Sequence, residues 1–331
     1  MARLQLSLIM ATNERSRPVL DGTVRPEGID LITTTAHPGE IFWRQLHHAE
    51  FDVSEMSLSS LLMLTARGDS PWVALPIFTV REFFHTGIIV RADAGIERPE
   101  DLRGKRVGVP EYQQTAALWT RGVLQHEFGV APTELEWYME RSEEGSHGGA
   151  TGFQPPPGIR FHRIPPDQSI ASLLLAGELD AAVRYIGVRT LVDRSGVDLS
   201  HHPRIRRLFP DPVAESVRYY RKTGIFPINH GVVVRRSLYE QHPWIALNLY
   251  HAFVAARDLA TARARTLMDP YFRLGLLPLE ARAALEAEPY PYGVRANRHV
   301  LETIARYSHE QGLTPRVVAL EEVFAPTTLH L

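Results

Sequence analysis

The chain has 331 residues, enough for one large domain or two of medium size. Apolar residues at 44% and charged residues at 22% sit near globular averages, which excludes a disordered, collagen-like or coiled-coil chain. A net charge of −2 gives no electrostatic footprint for nucleic acid, and the absence of cysteine excludes disulfides, thiolate nucleophiles and Cys-ligated metal centres. The apolar run LQLSLIMA is short and gives way at once to TNERSRP, so it reads as a first strand, Leu4 to Ala11, and not as a secretory signal. No stretch reaches the roughly 18 apolar residues of a membrane span. On these grounds the protein is expected in the cytoplasm, with no nucleic-acid or membrane partner.

A second strand is expected over Ile29–Thr34, then a helix over His37–Glu50. The short strand Phe51–Met56 should run into a helix over Leu58–Arg67, capped by Ser54 or Ser57. Trp72–Phe78 and the β-branched TGIIVR, 86–91, follow as strands. A loop then enters a strand at Val107–Val109, and Glu111–His126 reads as a helix. Residues 141–168, dense in Gly and Pro, predict an irregular excursion. A helix at Ser169–Gly177, strands at Asp180–Val183 and Gly231–Arg235, and helices at Pro243–Leu267, Leu279–Ala287 and Arg298–Gln311 complete the order.

Strands alternating with helices imply parallel βαβ units and an α/β fold. TGIIVR and GVVVRR lie about 140 residues apart and mark where one lobe is left and re-entered. The expected division is a discontinuous first lobe, 1–100 plus 226–331, and an inserted second lobe, 101–225. Two crossovers would join them around a cleft of the kind that binds ligands.

Several segments together carry a family resemblance: GDSPWVALPIF, PEDLRGKRVGVPEYQQTAALWTRGVL, AGELDAA, TGIFPINHGVVVRR, PYPYGVRANRHVLETIARYSHEQGL and EEVFAP. Over nearly its whole length the chain resembles the 4,5-dihydroxyphthalate decarboxylase family. The resemblance implies a type 2 periplasmic-binding-protein fold, a carboxy-lyase activity in aromatic (phthalate) catabolism and a small aromatic carboxylate as partner. It implies no cofactor, because a hydroxyl para to the leaving carboxylate is an electron sink carried by the substrate. The protein would supply positioning, electrostatics and an acid.

The candidate residues lie at predicted strand ends and crossovers. Arg81 and His85, in TVREFFHTG, match a family pattern of roughly Ser-Arg-x-Phe-Arg-His, with Val80 and Phe84 replacing its serine and second arginine. Arginine suits a bidentate carboxylate clamp, and histidine can deliver a proton near neutral pH. Glu111, Tyr112, Gln113, Gln114 and Thr115 open a predicted helix whose free amides favour an anion, with Glu111 a further catalytic candidate. Asn229 and His230 stand at the second crossover, and either His85 or His230 could be the general acid. Glu55 and Ser57 sit at a strand-to-helix turn, and Arg184 follows the AGELDAAV strand. Tyr292 and Arg295 read as a structural turn.

His47-His48 and His201-His202 are neighbouring pairs, and no HExxH, Walker or Gly-x-Ser-x-Gly pattern occurs, so no metal, nucleotide or serine-hydrolase chemistry is expected. A non-catalytic binding protein for an aromatic or dicarboxylic acid, or another lyase in the same cleft, stays as the alternative. The exact substrate and a homo-oligomeric state stay open.

Overall fold

A computed structural model describes residues 3–331. Eleven strands among them form two sheets: β1 Leu4–Met10, β2 Ile29–Thr35, β3 Val53–Ser57, β4 Trp72–Arg81, β5 Ile89–Arg91, β6 Arg106–Val109, β7 Glu136–Met139, β8 Arg160–Arg163, β9 Ala181–Ala182, β10 Ile205–Arg207 and β11 Ile228–Arg235. The first sheet has the order β2-β1-β3-β11-β4, and the second β10-β5-β9-β6-β7-β8. In the first, β1, β2 and β3 are parallel, while β11 runs antiparallel between β3 and β4. In the second, β6, β7, β8 and β9 are parallel and β5 is antiparallel to β9 and β10.

Strands β3, β4 and β11 of the first sheet are covered on both faces, which their composition demands. β3 is buried at every position and β11 at all but its last, so VSEMS and INHGVVVR carry no polar-out alternation. The helix Leu58–Arg67 buries eight of its ten residues. Each fully buried aliphatic side chain contributes roughly 1.5–3 kcal/mol relative to exposure.

The sheet membership corrects one expected boundary. TGIIVR was assigned to the first lobe, yet β5 pairs with Ala181–Ala182 and Ile205–Arg207 of the second sheet. The first crossover therefore falls at 82–88, where a 3-10 turn, Phe84–Gly87, turns the chain. Small partners let the bulky Ile89 and Val90 enter a central position. The second crossover, just before Ile228, is near the expected place.

The helix Thr115–Phe128 comes from the inserted stretch but packs against the first lobe. Trp119 Nε1 donates to the Ile228 carbonyl at 2.8 Å. A Cβ at Gly122 would lie 2.1 Å from the Tyr307 ring, so only glycine permits the close approach of helix Val294–Glu310. One large apolar core consequently runs through both sheets, with a smaller cluster around Ile170, Leu174 and Ile205 beneath the second.

Other departures have local causes. The expected helix at 111 starts at Thr115, because Glu111–Gln114 form a turn that buries Glu111. The Gly/Pro-rich excursion contains a short helix, Gly148–Thr151, and β8. The helix Pro212–Thr223, capped by Asp211, and the strand β7 went unpredicted.

Candidate functional site

The carboxyl ends of β2, β3, β6, β7 and β9 all face the cleft between the sheets, the place where open α/β sheets bind ligands. A cavity of about 130 Å³ lies there. It is lined from the first sheet by His37, Gly39, Phe42, Ser57, Asn229 and His230. From the second come Gln114, Thr115, Arg141, His147, Arg184 and Ile186. One water occupies roughly 10–15 Å³ on this measure, so the space suits a ligand about the size of a substituted benzene.

β11 brings its first residues to the cleft because it runs against β3, with His230 opposite Ser57. Its pairing with β4 shifts register between Ile228 and Val232. Such irregularities break the two-residue alternation and re-aim side chains. Here the side chains of Asn229 and His230, consecutive in sequence, meet at 2.8 Å between Nδ2 and Nε2. On its other side, His230 Nδ1 lies 2.7 Å from Glu55 Oε1. Glu55 is fully buried and also accepts from Thr79 Oγ1 at 2.7 Å and the Ala11 amide at 2.8 Å. Burial alone would raise the Glu55 pKa; the His230 imidazole and these two donors outweigh it and hold the carboxyl below its ordinary value. An ionised Glu55 needs a proton on Nδ1, which leaves Nε2 as the nitrogen able to exchange a proton with a ligand. Phe42 meets the imidazole edge-on at 4.7 Å between centroids.

Across the cavity a second buried carboxylate, Glu111, collects five contacts. Arg141 Nη1 donates to it at 2.5 Å, Ser146 Oγ at 2.7 Å, and the His147 amide and Gln113 Nε2 at 2.6 Å each. His147 Nδ1 lies 3.1 Å away. Burial again opposes ionisation, but His147 and Arg141 overcome it and Glu111 is held low. Arg141 also spans Asp193, with Nε to Oδ1 at 2.8 Å and Nη2 to Oδ2 at 3.3 Å. Burial lowers the pKa of His147 against the pull of Glu111, and lowers that of His37. Gly39 admits this wall: a Cβ there would lie 2.9 Å from Val192 and 3.4 Å from Arg141.

No carboxylate lines the cavity. Three histidines and two arginines do, together with the N-termini of helices Pro38–His48 and Thr115–Phe128. Gln114, the N-cap of the latter, makes no side-chain cap bond, which leaves first-turn amides open. Thr115 Oγ1 and Ser57 Oγ are 2.8 Å apart at the same wall. Gln114 Nε2 and Asn229 Oδ1 are buried without hydrogen-bond partners. The site is built for an anion with polar substituents. Among the described residues no cluster of three or more His, Cys, Asp or Glu is arranged to hold a metal.

Of the residues expected from sequence, Ser57, Thr115, Arg184, Asn229 and His230 meet in the cavity. Glu55 and Glu111 stand behind it as fully buried partners of His230 and of Arg141 and His147, so neither touches the cavity. Gln113 binds Glu111, and Tyr112 is buried over the Arg121 guanidinium, 3.8 Å from its ring centroid. These four expectations of ligand contact are thereby corrected, and two more are as well. Arg81 does not line the cleft cavity, and its guanidinium is engaged by the carbonyls of Phe226 and Pro291 and by Asn297 Oδ1, with burial pushing its pKa down to about 10. His85 is buried against Phe209 and Tyr219, with Nε2 3.0 Å from Glu215. Both lie at the crossover, but their side chains point into the packing that fixes it. Sequence reasoning missed His37, Phe42, Arg141 and His147. His37 carried a signal in HPGE, a cap before Pro-Gly. Arg141 and His147 lay in the stretch read as irregular.

Comparison with known proteins agrees with this geometry. The family described as ABC transporter, phosphonate, periplasmic substrate-binding protein matches residues 40–243. A 4,5-dihydroxyphthalate decarboxylase of Comamonas testosteroni is 36% identical over 338 aligned residues, covering 100% of this chain and 99% of the relative. One of Pseudomonas putida is 37% identical over 221 residues, covering 67% of this chain and 83% of the relative. Among solved structures, the periplasmic aliphatic sulphonate binding protein SsuA of Escherichia coli superposes with a TM-score of 0.53 at 13% identity over 100% of both chains. The desulfurization enzyme DSZB gives 0.51 at 16% identity, covering 99% of this chain and 98% of its own. These two establish the two-lobed binding-protein fold.

Proposed function

This chain belongs to the 4,5-dihydroxyphthalate decarboxylase family, and on that premise we propose that it decarboxylates a hydroxylated phthalate-like dicarboxylate in the interlobe cleft. The observation that carries the reading is the cavity wall: two arginines and two helix N-termini with no carboxylate among them, and one histidine backed by a buried carboxylate. A binding site for a dianion needs the first feature, and protonation of carbon needs the second.

His230 is the general acid. Its Nε2 proton goes to the ring carbon bearing the departing carboxylate, and the charge that develops is delocalised onto the para hydroxyl oxygen. The C–C bond then breaks, its electron pair restores the aromatic ring, and CO₂ leaves. Glu55 stabilises the imidazolium before transfer and holds the ring through Nδ1 throughout. His230 regains its proton from solvent between turnovers. Atoms balance as dianion plus proton giving a monocarboxylate and CO₂.

Arg184 serves as the carboxylate clamp that the sequence reading sought in Arg81. Ser57, Thr115 and the open amides of helix Thr115–Phe128 hold the carboxylate that stays. Asn229 Nδ2, a donor beside Nε2, hydrogen-bonds that nitrogen once its proton has gone. Glu111 sets Arg141 and His147 in place without meeting substrate.

The test is direct. Incubation with 4,5-dihydroxyphthalate should release one CO₂ per 3,4-dihydroxybenzoate formed. Saturable thermal stabilisation by this compound without CO₂ would identify a binding protein instead.

A further inference from the structure

A second cavity of about 280 Å³ lies at the first crossover, on the far side of Arg184 from the catalytic cleft. Phe84, Ile89, Leu199 and Ile205 give it an apolar floor, and Arg184, Arg206 and Arg207 bring three guanidinium groups to its rim. Two of these cations are answered: Arg184 by Glu82 at 3.3 Å and Arg206 by Glu97 at 2.8 Å. The rim carboxylate of Asp198 is satisfied by the amide and hydroxyl of Ser200. Arg207 has no ion pair or side-chain hydrogen bond among the described residues. The cavity therefore offers an uncompensated cation above a buried apolar surface.

Arg184 lines both cavities. Its backbone sits in the left-handed region at φ 54°, an uncommon conformation for a residue with a side chain, kept where the surroundings fix it. Its guanidinium lies 5.7 Å from the Phe84 ring centroid, over the floor of the second cavity. The residue thus borders both pockets, while its guanidinium, paired with Glu82 over Phe84, stands at the second.

We propose that the second cavity binds an aromatic monocarboxylate, with its ring on the Phe84–Ile205 floor and its carboxylate on Arg207. Such a ligand holds the Arg184 guanidinium over the Phe84 floor, where its pair with Glu82 already keeps it, so that it no longer swings to a substrate carboxylate in the catalytic cleft, and turnover there slows. The product of the proposed reaction, a hydroxybenzoate, has this chemistry; the regulatory half of the inference rests on that reading, while the binding half does not.

Equilibrium titration with 3,4-dihydroxybenzoate should find two sites per chain. Arg207→Ala should weaken one of them by about 10–150-fold, the range expected for a lost charge-assisted bond, and leave the other unchanged. In initial-rate assays with 4,5-dihydroxyphthalate, the same compound should inhibit the wild type in a mixed pattern, lowering apparent kcat as well as raising KM. Arg207→Ala should turn this purely competitive, with uninhibited kcat and KM unaltered. A single site in the wild type, or two sites indifferent to Arg207→Ala, would overturn the proposal. Sulfate displacing the second ligand as well as benzoate does would overturn its aromatic character. If no CO₂ is evolved at all, the catalytic reading fails, and the two-site titration still decides the binding claim.

Discussion

Glu55→Gln is the sharpest perturbation of the proposed acid, because it removes one charge and almost no volume. Glu55 is fully buried, and its 2.7 Å contact to His230 Nδ1 is its link to the cavity. A hydrogen bond to a charged group is worth about 1.5–3 kcal/mol, so the imidazolium loses that much relative to the neutral ring. Losing that stabilisation should lower kcat by about 10–150-fold. KM should change little, because Glu55 does not touch substrate. The glutamine also meets the Thr79 hydroxyl and the Ala11 amide with one fewer acceptor, a stability cost of about 1–3 kcal/mol. Circular dichroism and Tm should therefore accompany the kinetics, to confirm that the variant is folded at the assay temperature. A folded Glu55→Gln enzyme with wild-type kcat would refute the dyad.

Arg184→Ala should raise KM for 4,5-dihydroxyphthalate by about 10–150-fold with a smaller loss in kcat, and lysine should rescue it partly because it lacks the planar fork; steady-state kinetics check this. Arg81→Ala should do the opposite. It leaves the Phe226 carbonyl and Asn297 Oδ1 without that donor, while the Pro291 carbonyl keeps Asn297 Nδ2, so chemical denaturation should show a loss of about 1–3 kcal/mol per unsatisfied group while KM stays near wild type. Acid should destabilise the fold through three depressed carboxyls. Burial opposes ionisation of Glu215, but Arg218 and His85 bring its pKa from 4.5 to about 2, and Glu55 and Glu111 are lowered too. A folded pKa below the unfolded one contributes stability above the unfolded value and loses it as pH falls through the folded one. Urea midpoints should hold above about pH 4.5 and drop steadily toward pH 2, with Glu215→Gln flattening part of the slope.

Strand ends were the readable part of the site. The turn after β3 and the start of β11 announced Ser57, Asn229 and His230, because an α/β sheet presents such positions to its cleft whatever the rest of the chain does. Sequence proximity to a crossover misled at Arg81 and His85. A crossover must be packed as well as flank a cleft, and nothing in TVREFFHTG says which way a side chain turns. Arg81 answers Asn297, 216 residues away, and His85 answers Glu215, 130 away. Arg141 and His147 were lost for a different reason. Gly and Pro density reports the absence of regular structure, and here the irregular segment is fixed by a buried carboxylate from outside it, Glu111. TGIIVR was assigned to the wrong sheet because three residues of strand suit either; the small Ala181 and Ala182 opposite it decide.

Decarboxylation in D₂O tests the central claim, that His230 delivers a solvent-exchanged proton to the carbon that loses CO₂. The account predicts one deuterium at that ring position in the 3,4-dihydroxybenzoate formed, seen by proton NMR. It also predicts a kcat lower by about 10²–10⁴-fold in His230→Asn, with little change in KM and with the same residual product. Near-wild-type kcat in His230→Asn, or no deuterium at the vacated carbon, would contradict it.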